Sequence, residues 1–454
     1  MPVINGSVVL SGWTNSAEGK FYLDYTGTCE GLLQDGLPLT RASTSELLDG
    51  SWYFDGARIY YKPTTGSASD HSVEGCKLTV VQILAQNYVT LKNIAFYGGA
   101  GIGVGVVNSS NIQIINCTIT ANAWAGIGIK NDPTKAGSPS SNILIQGNTI
   151  GWNGNGIYLI SENGAAGLEK INVVENVVEY NDFNEVWKHK TLDGHGLGVQ
   201  NTSNSYFGKN EFRYNNTGPI IWTSLDRRSD NNIIARNYSH HNQKFGMALT
   251  GEGQDNSSNN RWIYNIITDN GSRDGFDGGL RINRSNRGKN FFIHNTLARN
   301  DVNIYLYSLT DYAIISKNIS FSPLSFHVLL EVPLSQNIFA ENLYFPDGTG
   351  LFGIQLLRTL NFAGWRAQTG GEKGSSVGDP LFADTSLTRP EHFVPSPASP
   401  AWIKLLPPVG ARPKSGPFSV TTLEPDLPLE YNVDYFGQTP GNAPFRGAIQ
   451  GSLQ

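Results

Sequence analysis

One asparagine recurs along this chain at an interval that few folds accommodate. Ten short segments begin with Asn and continue with β-prone residues, and successive segments start 23 to 34 residues apart. Intervals of this length are typical of solenoids, in which each repeat forms one coil that stacks on its neighbours. The column comprises Asn93, Asn116, Asn148, Asn176, Asn210, Asn237, Asn265, Asn295, Asn318 and Asn342.

Each repeat also carries a second Asn and a Gly-rich apolar segment such as NGIYLI (155–160). Apolar residues alternate within these segments, which predicts short strands with one buried face. The second Asn column comprises Asn122, Asn153, Asn181, Asn215, Asn242, Asn270 and Asn300. The residues expected in the interior are Ile127, Ile129, Ile157, Leu159, Leu197, Val199, Leu280, Ile282, Ile304 and Leu306.

The Asn columns have a physical explanation. Asn tolerates the left-handed backbone conformation that a tight corner requires. When coils stack in register, each side-chain amide can also donate a hydrogen bond to the next, which forms a ladder. We therefore expect the first column, from Asn116 to Asn318, to stack with one residue per coil.

The Asn turns, the Gly-Ile strands and this period resemble the right-handed parallel β-helix superfamily of pectate lyases, polygalacturonases and phage tailspikes. The resemblance covers roughly residues 75 to 345. It implies an all-β fold, a right-handed parallel β-helix solenoid over residues 76–345, and it says little about the reaction.

The two ends of the chain lack the repeat. Residues 1–75 contain LLDGSWYFDGARIYYKPTTG, a strand–turn–strand pattern that predicts a hairpin. Because the first coil of a solenoid exposes an open edge, we expect these residues to form an N-terminal β cap. Residues 346–454 predict a short helix in LRTLNFAGWRAQTG, ended by Gly370, and then an extended, Pro-rich tail packed along the β-helix as a C-terminal cap.

Composition narrows the possible partners. Charged residues make up 16% of the chain and the net charge is −5, so there is no basic footprint for a nucleic acid. No apolar run is long enough for a membrane span, and the first residues lack the pattern of a secretion signal. The three Cys residues fit buried apolar positions or one disulfide. We expect a monomer that acts outside the cell or at its surface.

Charged and aromatic residues cluster in the coils that follow Asn176. The longest interval carries NDFNEVWKHKTLDGHG (181–196), and later coils carry TSLDRRSD (223–230) and SRDGFDGGLRINRS (272–285). Stacked coils place outward side chains in columns about 4.8 Å apart, so these segments can line one groove. The candidate catalytic residues are Asp193, His195, Asp226, Asp274 and Asp277, and the candidate substrate-binding residues are Trp187, Lys190, Trp222, Arg227, Arg281, Arg284 and Tyr307.

These residue types suit the cleavage of a polysaccharide. A glycosidase needs two carboxylates across the scissile bond. A lyase needs a cation for the uronate carboxylate and a base for the C5 proton. We expect no cofactor, although Asp274 and Asp277 leave a Ca²⁺ site open. The alternatives are a non-catalytic polysaccharide-binding module, a phage receptor-binding protein, and ordinary turn chemistry for any single residue.

One motif match is partial. Polygalacturonases carry N-T-D, D-D, G-H-G and R-I-K in order, and this chain has Gly194-His195-Gly196 and Arg281-Ile282-Asn283. It has neither N-T-D nor D-D, so the paired catalytic acids of that family are missing. The resemblance therefore implies at most substrate contacts for His195 and Arg281.

Overall fold

The structure is a computed structural model. It describes residues 1–162, 164–182, 186–187, 194–224, 228–252, 257–271, 277–283, 288–308, 310, 312–331, 336–355, 358–402, 434–436 and 446–449. The chain divides into two compact units. Unit 1 contains Met1–Val199 and Phe212–Pro219, and unit 2 contains Gln200–Glu211 and Ile220–Gln454.

The first part of unit 1 consists of two small, mainly antiparallel sheets. The predicted hairpin is confirmed, because Ser51–Phe54 pairs antiparallel with Arg58–Lys62 and Trp52 lies opposite Tyr61. One sheet contains Ser7–Val9, Val73–Cys76, Gly31–Gln34 and Leu37–Pro38. The other contains Thr14–Asn15, Phe21–Asp24, Arg58–Lys62, Ser51–Phe54 and Thr40–Arg41. We call residues 1–76 the N-terminal module.

The rest of unit 1 is a stack of coils with three strands each, and equivalent strands pair in parallel. Sheet A contains Val81–Leu84, Ile102–Val107, Ala125–Asn131, Ile157–Ser161 and His195–Gln200. Sheet B contains Thr90–Lys92, Ile112–Ile115, Ser141–Gln146 and Leu168–Val174. Sheet C contains Val3–Asn5, Ala95–Tyr97, Thr118–Thr120, Thr149–Gly151 and Val177–Glu179.

Unit 2 repeats the same three-strand coil. Its sheet A contains residues 220–224 of the strand Thr217–Ser224, then Met247–Glu252, Gly278–Asn283, Val302–Tyr307, Phe326–Leu330, Phe352–Ile354 and the antiparallel Arg358–Leu360. Sheet B contains Tyr206–Gly208, Ile233–Ala235, Arg261–Ile263, Asn290–Ile293, Ala313–Ser316 and Ile338–Ala340, and Thr202–Ser203 precedes it. Sheet C contains Tyr238–His240, Ile266–Thr268, Thr296–Ala298, Ile319–Phe321, Leu343–Phe345 and Ser376–Val377, and the strand Glu211–Arg213, of which only Glu211 belongs to unit 2, precedes them along the chain.

The interior of the coils confirms the alternation that the sequence predicts. All ten residues expected inside, from Ile127 to Leu306, are exposed by 2% or less. Successive side chains of a strand point to opposite faces, so the residues that alternate with these buried ones point outward. Both units are coils of a right-handed parallel β-helix, with aliphatic side chains inside and, in unit 2, buried aromatic side chains such as Trp262 and Phe292 as well.

Asn ladders run through the coils of both units. In unit 2, each amide nitrogen of the first column donates to the next Asn oxygen at 3.0 to 3.1 Å, from Asn210 through Asn237, Asn265, Asn295 and Asn318 to Asn342. In unit 1, Asn148 donates to Asn176 at 2.9 Å. The second column forms ladders too, with Asn122, Asn153, Asn181 and Asn215 in unit 1 and Asn242, Asn270 and Asn300 in unit 2.

Two details of the expected column are wrong. Asn116 does not lie in the ladder, since it is Cys117 whose backbone N–H donates to Asn148 at 2.8 Å. Nor does the ladder Asn adopt the left-handed conformation, which belongs to the preceding residue, such as Tyr264 with φ 55°. The ladder Asn must point its amide inward, whereas the corner residue projects outward and is free to vary. Asn93 and Asn116 themselves occupy that corner, with φ 58° and 50°.

The first Asn column of unit 2 ends on a buried carboxylate. Glu372 accepts hydrogen bonds from the Tyr344 hydroxyl at 2.6 Å, the Trp365 indole at 3.0 Å and the Asn342 amide at 3.4 Å. Trp365 lies on the helix Phe362–Thr369, which begins after Asn361 and ends at Gly370 with φ 65°. The predicted helix is confirmed, except that Leu360 ends a strand instead of starting it.

Parts of the C-terminal region pack on sheet C of unit 2. Leu387, Phe393, Ala448 and Ile449 form an apolar cluster with outward side chains of that sheet, among them Tyr238. This region also has 3-10 turns at Pro390–Phe393 and Pro400–Trp402. The three Cys residues are buried and free, so no disulfide forms within the described chain. Every helix in the described ranges is too short or too polar to cross a membrane.

Candidate functional site

A cationic side chain surrounded by aromatic rings stands out on the outer face of sheet A in unit 2. Arg281 lies between Leu280 and Ile282, which are buried in the core, so its side chain projects outward. Its guanidinium carbon lies 4.5 Å from the ring centre of Phe245, 4.8 Å from that of Tyr307 and 5.8 Å from that of Tyr305. We call Arg281 and these three rings the Arg281 platform.

The register of the coils brings these residues together. Arg281 lies directly opposite Tyr305, and Asn283 lies opposite Tyr307, in adjacent strands of the sheet. Phe245 comes from the turn before the preceding strand, where it packs against Ile220 and Ala248. Three consecutive coils therefore contribute one residue or more to the platform.

The electrostatics of the platform favour a bound anion. Burial lowers the pKa of Arg281, and the nearby acidic groups Tyr305 and Asp277 oppose that effect, so the guanidinium remains charged at neutral pH. Its Nε atom is buried and has no hydrogen-bond partner among the residues the structure describes. A buried donor without a partner costs free energy, and a ligand oxygen would relieve that cost.

A proton-transfer pair lies beside the guanidinium. The Tyr305 hydroxyl donates a short hydrogen bond to the Glu331 carboxylate. Burial raises the pKa of Tyr305, and the hydrogen bond to Glu331 raises it further, so the phenol stays protonated at neutral pH. A protonated donor paired with a carboxylate can give a proton to one atom of a ligand and accept one from another.

One more of the predicted residues lies on this outer face, and another lies just before the strand of Arg281. Trp222 lies opposite Thr250 in the next strand, and the Asn283 amide of the strand after that donates to the Thr250 hydroxyl at 3.2 Å. Asn283 in turn lies opposite Tyr307, so Trp222 and Tyr307 belong to the same outward column. Trp222 is half-buried. Asp277 precedes the strand of Arg281, is 8% exposed and acts electrostatically on the guanidinium. The structure thus brings Trp222, Arg281 and Tyr307 to one sheet face, with Asp277 just before the strand of Arg281.

His195 and Trp187 lie in unit 1 and are both buried. The His195 ring nitrogen Nδ1 lies 2.6 Å from the Thr217 hydroxyl, and its backbone N–H donates to Asn155. Trp187 is 2% exposed and packs with Leu33, Cys76, Ala121 and Ala123. Its indole N–H donates to the Trp152 carbonyl at 3.1 Å. A ring enclosed in this way has no free face for a sugar, so Trp187 stays outside the candidate site.

The remaining predicted residues, Asp193, Lys190, Asp226, Arg227, Asp274 and Arg284, lie outside the described residues. The expectation that all the candidates share one cleft therefore stays a prediction. Within the described ranges, no group of three or more His, Cys, Asp or Glu residues is arranged to hold a metal ion.

Sequence reasoning missed Phe245, Tyr305 and Glu331 as members of the site. The repeat itself carried the signal for two of them. Arg281 and Tyr305 lie 24 residues apart, and Tyr307 and Glu331 lie 24 residues apart, close to the spacing of the Asn column in those coils. Aligning the strands on their buried residues, with the first ladder as a guide, would have placed Tyr305 next to Arg281.

Comparison with known proteins supports the fold. The family model described as "Right handed beta helix region" matches residues 46–138 and 136–320, which together exceed half of the chain. A search of curated proteins finds no match.

Solved structures give low-identity matches. The structure titled "The complex structure of XylC with xylose" matches with a TM-score of 0.53 and 12% identity, over 84% of this chain and 76% of that chain. A protein titled "Glycoside hydrolase" matches with a TM-score of 0.38 and 9% identity, over 83% and 82%. A mutant of the periplasmic alginate epimerase AlgG matches with a TM-score of 0.34 and 15% identity, over 61% and 76%. At these identities the first match bears on the fold alone, and the other two carry no argument.

Proposed function

Because the chain belongs to the right-handed β-helix family, we propose that its coils hold an extended polysaccharide and that the protein cleaves an acidic polysaccharide at the Arg281 platform. The single observation that carries this proposal is the buried guanidinium, whose Nε has no partner among the described residues, set among three aromatic rings beside the Tyr305–Glu331 pair.

Each part of the platform has a role in this proposal. Arg281 binds the carboxylate of a uronate, since a guanidinium presents several donors to a planar anion. The exposed parts of Trp222 and Tyr307 lie against the apolar C–H faces of neighbouring sugars. Glu331 and Tyr305 act on the bond to be cleaved, because they place a carboxylate and a hydroxyl side by side in one hydrogen-bonded pair.

The same groups serve either of two reactions. In hydrolysis, a water molecule attacks C1 and gives its proton to a carboxylate, Glu331 or Asp277, while the glycosidic C1–O bond breaks and Tyr305 protonates the leaving oxygen. In elimination, a base removes the C5 proton, the C4–O bond breaks, a C4–C5 double bond forms, and Tyr305 protonates the leaving oxygen. Neutralisation of the uronate carboxylate by Arg281 makes the C5 proton easier to remove.

The test is a panel of polysaccharides incubated with the full chain. The panel contains polygalacturonate, alginate and a glucuronoxylan, with neutral glucan and mannan as controls, and each is read for new reducing ends and for ultraviolet absorbance of an unsaturated uronate. Reducing ends alone indicate hydrolysis, and both signals indicate elimination. Binding of an acidic polymer without either product would contradict cleavage and leave the protein as a binding module.

Variants then test the roles of the residues. We expect Tyr305→Phe to lower kcat by roughly 100-fold or more with little change in KM, because it removes only a proton donor. Arg281→Gln should raise KM for the acidic polymer. Tyr53→Phe, in the N-terminal module, is the matched control and should keep full activity. Full activity in both Tyr305→Phe and Arg281→Gln would contradict the proposed site.

A further inference from the structure

The N-terminal module of unit 1 contains a cavity of about 590 Å³ that the Arg281 platform does not use. This volume falls within the range of about 300–1,000 Å³ typical of small-molecule sites. Its floor is apolar and includes the buried Phe21 and Val73 together with the half-buried Trp13. A cavity with an aromatic residue in its floor and an open rim has the form of a ligand site.

Trp13 is held in one orientation. Its indole N–H donates to the Leu10 carbonyl at 3.2 Å, and its ring centre lies 5.3 Å from that of Tyr61 at an angle of 53°. Tyr61 is fully buried and donates to the Gln34 side chain at 2.6 Å. The ring of Trp13 is therefore fixed before any ligand arrives, so binding would not cost the entropy of ordering it.

The rim of the cavity is polar and almost without charge. Of the thirteen described residues that line it, His71 alone has a titratable side chain. The ring nitrogens of His71 are both engaged, one with the Asp35 carboxylate at 2.7 Å and the other with the Thr65 carbonyl at 2.7 Å. The Gln34 side-chain nitrogen also lies 3.1 Å from the ring nitrogen that faces Asp35, so the polar atoms of the ring are already used within the module.

The rim also has hydrogen-bonding groups that are not used within the module. The side chains of Ser11, Asn15 and Ser72 are exposed, and none of them makes a hydrogen bond to a residue in the described ranges. Two hydroxyls and an amide can each donate and accept. This set suits a ligand that carries many hydroxyl groups and no net charge.

We propose that this cavity binds a neutral oligosaccharide, with one sugar ring on Trp13 and its hydroxyls at Ser11, Asn15 and Ser72. A pyranose has an apolar C–H face and a polar edge, which match the floor and the rim. An anionic ligand fits less well, because the one titratable side chain of the lining, His71, already lies 2.7 Å from the Asp35 carboxylate. The cavity is then a second carbohydrate site, distinct in residues and in ligand charge from the Arg281 platform.

The experiment titrates cellotriose, xylotriose and mannotriose into the full chain labelled with 5-fluorotryptophan. Binding is followed by ¹⁹F NMR and by calorimetry, with an acidic trigalacturonate as the comparison ligand. The Trp13 resonance is assigned by its loss in Trp13→Phe. We expect at least one neutral trisaccharide to shift that resonance, whereas trigalacturonate leaves it unchanged.

Two variants test the assignment. Trp13→Ala should weaken binding of the neutral sugar by about tenfold or more. Trp13 also packs on Tyr61, so its replacement can disturb the core as well as the cavity. The second variant is therefore Ser69→Trp, which fills the exposed rim without touching the core. Its control is Ser45→Trp, at an exposed position outside the cavity. We expect Ser69→Trp to abolish the shift and Ser45→Trp to preserve it.

The proposal is overturned if none of the three neutral sugars binds, or if binding persists unchanged in both Trp13→Ala and Ser69→Trp. It is also overturned if the acidic sugar shifts the Trp13 resonance and the neutral sugars do not. None of these three results bears on cleavage at the Arg281 platform, because that activity is measured on acidic polymers and depends on residues of unit 2.

Discussion

The Asn ladder allows a prediction whose size follows from its hydrogen bonds. Asn265 is 0% exposed and accepts two hydrogen bonds from Asn237, one from its backbone N–H and one from its amide, both at 3.0 Å. Its own amide donates to the Ile234 carbonyl at 2.9 Å and to Asn295 at 3.0 Å. Asn265→Ala removes all four bonds and leaves their partners buried.

The cost comes mainly from the two donors of Asn237 that lose their acceptor. Each buried donor without a partner costs about 1–3 kcal/mol, so we expect the free energy of unfolding to fall by roughly 2–6 kcal/mol. The control is Asn259→Gly, which removes an exposed hydrogen bond to Asn231 of 2.7 Å at a corner with φ 60°. Glycine adopts that conformation without strain, so the control should cost about 1 kcal/mol or less.

The assay is equilibrium unfolding in urea, followed by circular dichroism and by tryptophan fluorescence. Equal m-values in the variants would show that the same surface unfolds, so that the shift in midpoint reports stability. If Asn265→Ala were as stable as Asn259→Gly within about 1 kcal/mol, the buried ladder would not stabilise the coil and the reasoning would be refuted.

Three further outcomes follow from the structure. Leu280→Ala should lower the free energy of unfolding by about 2–5 kcal/mol in the same urea assay, and a cost near zero would contradict its buried position. Trp187→Ala should lower the free energy of unfolding by about 3–5 kcal/mol and leave sugar binding, measured by calorimetry, unchanged. Loss of sugar binding at full stability would instead support the predicted stacking of Trp187 on a sugar ring. The pKa of His71 is raised by the Thr65 carbonyl and by Asp35, and the pKa of Asp35 is lowered by His71 and by the Ser72 N–H. The stabilisation from His71 is therefore complete at a pH below 6.5, the ordinary pKa of His, and is lost as the pH rises through the raised pKa. The stabilisation from Asp35 is present at a pH above 3.8, the ordinary pKa of Asp, and is lost as the pH falls through the lowered pKa. Thermal melts against pH should show both losses, and His71→Gln should remove the loss on the alkaline side.

The sequence by itself determined the coil. The period of the Asn residues and the alternation around Ile127, Leu159 and Leu280 are local patterns, and each strand buries the same face whichever coil lies beside it. The hairpin at Trp52 and the helix end at Gly370 were predictable for the same reason, because turn and cap residues act within a few positions of the chain.

Only the tertiary structure decided which residues meet. Repeats of unequal length make the alignment of distant strands ambiguous. The first Asn column placed Asn116 in the ladder, one residue from the true ladder position, because Asn occurs both at the left-handed corner and at the ladder position that follows it. The burial of Trp187 depends on Leu33 and Cys76, which lie more than a hundred residues earlier in the chain. The contact between Arg281 and Tyr305 depends on the register of two coils. Charge clustering in the sequence pointed to the coil that carries Arg281 but not to the partners of Arg281, because a side chain's neighbours across a sheet are set by stacking and not by its own local sequence.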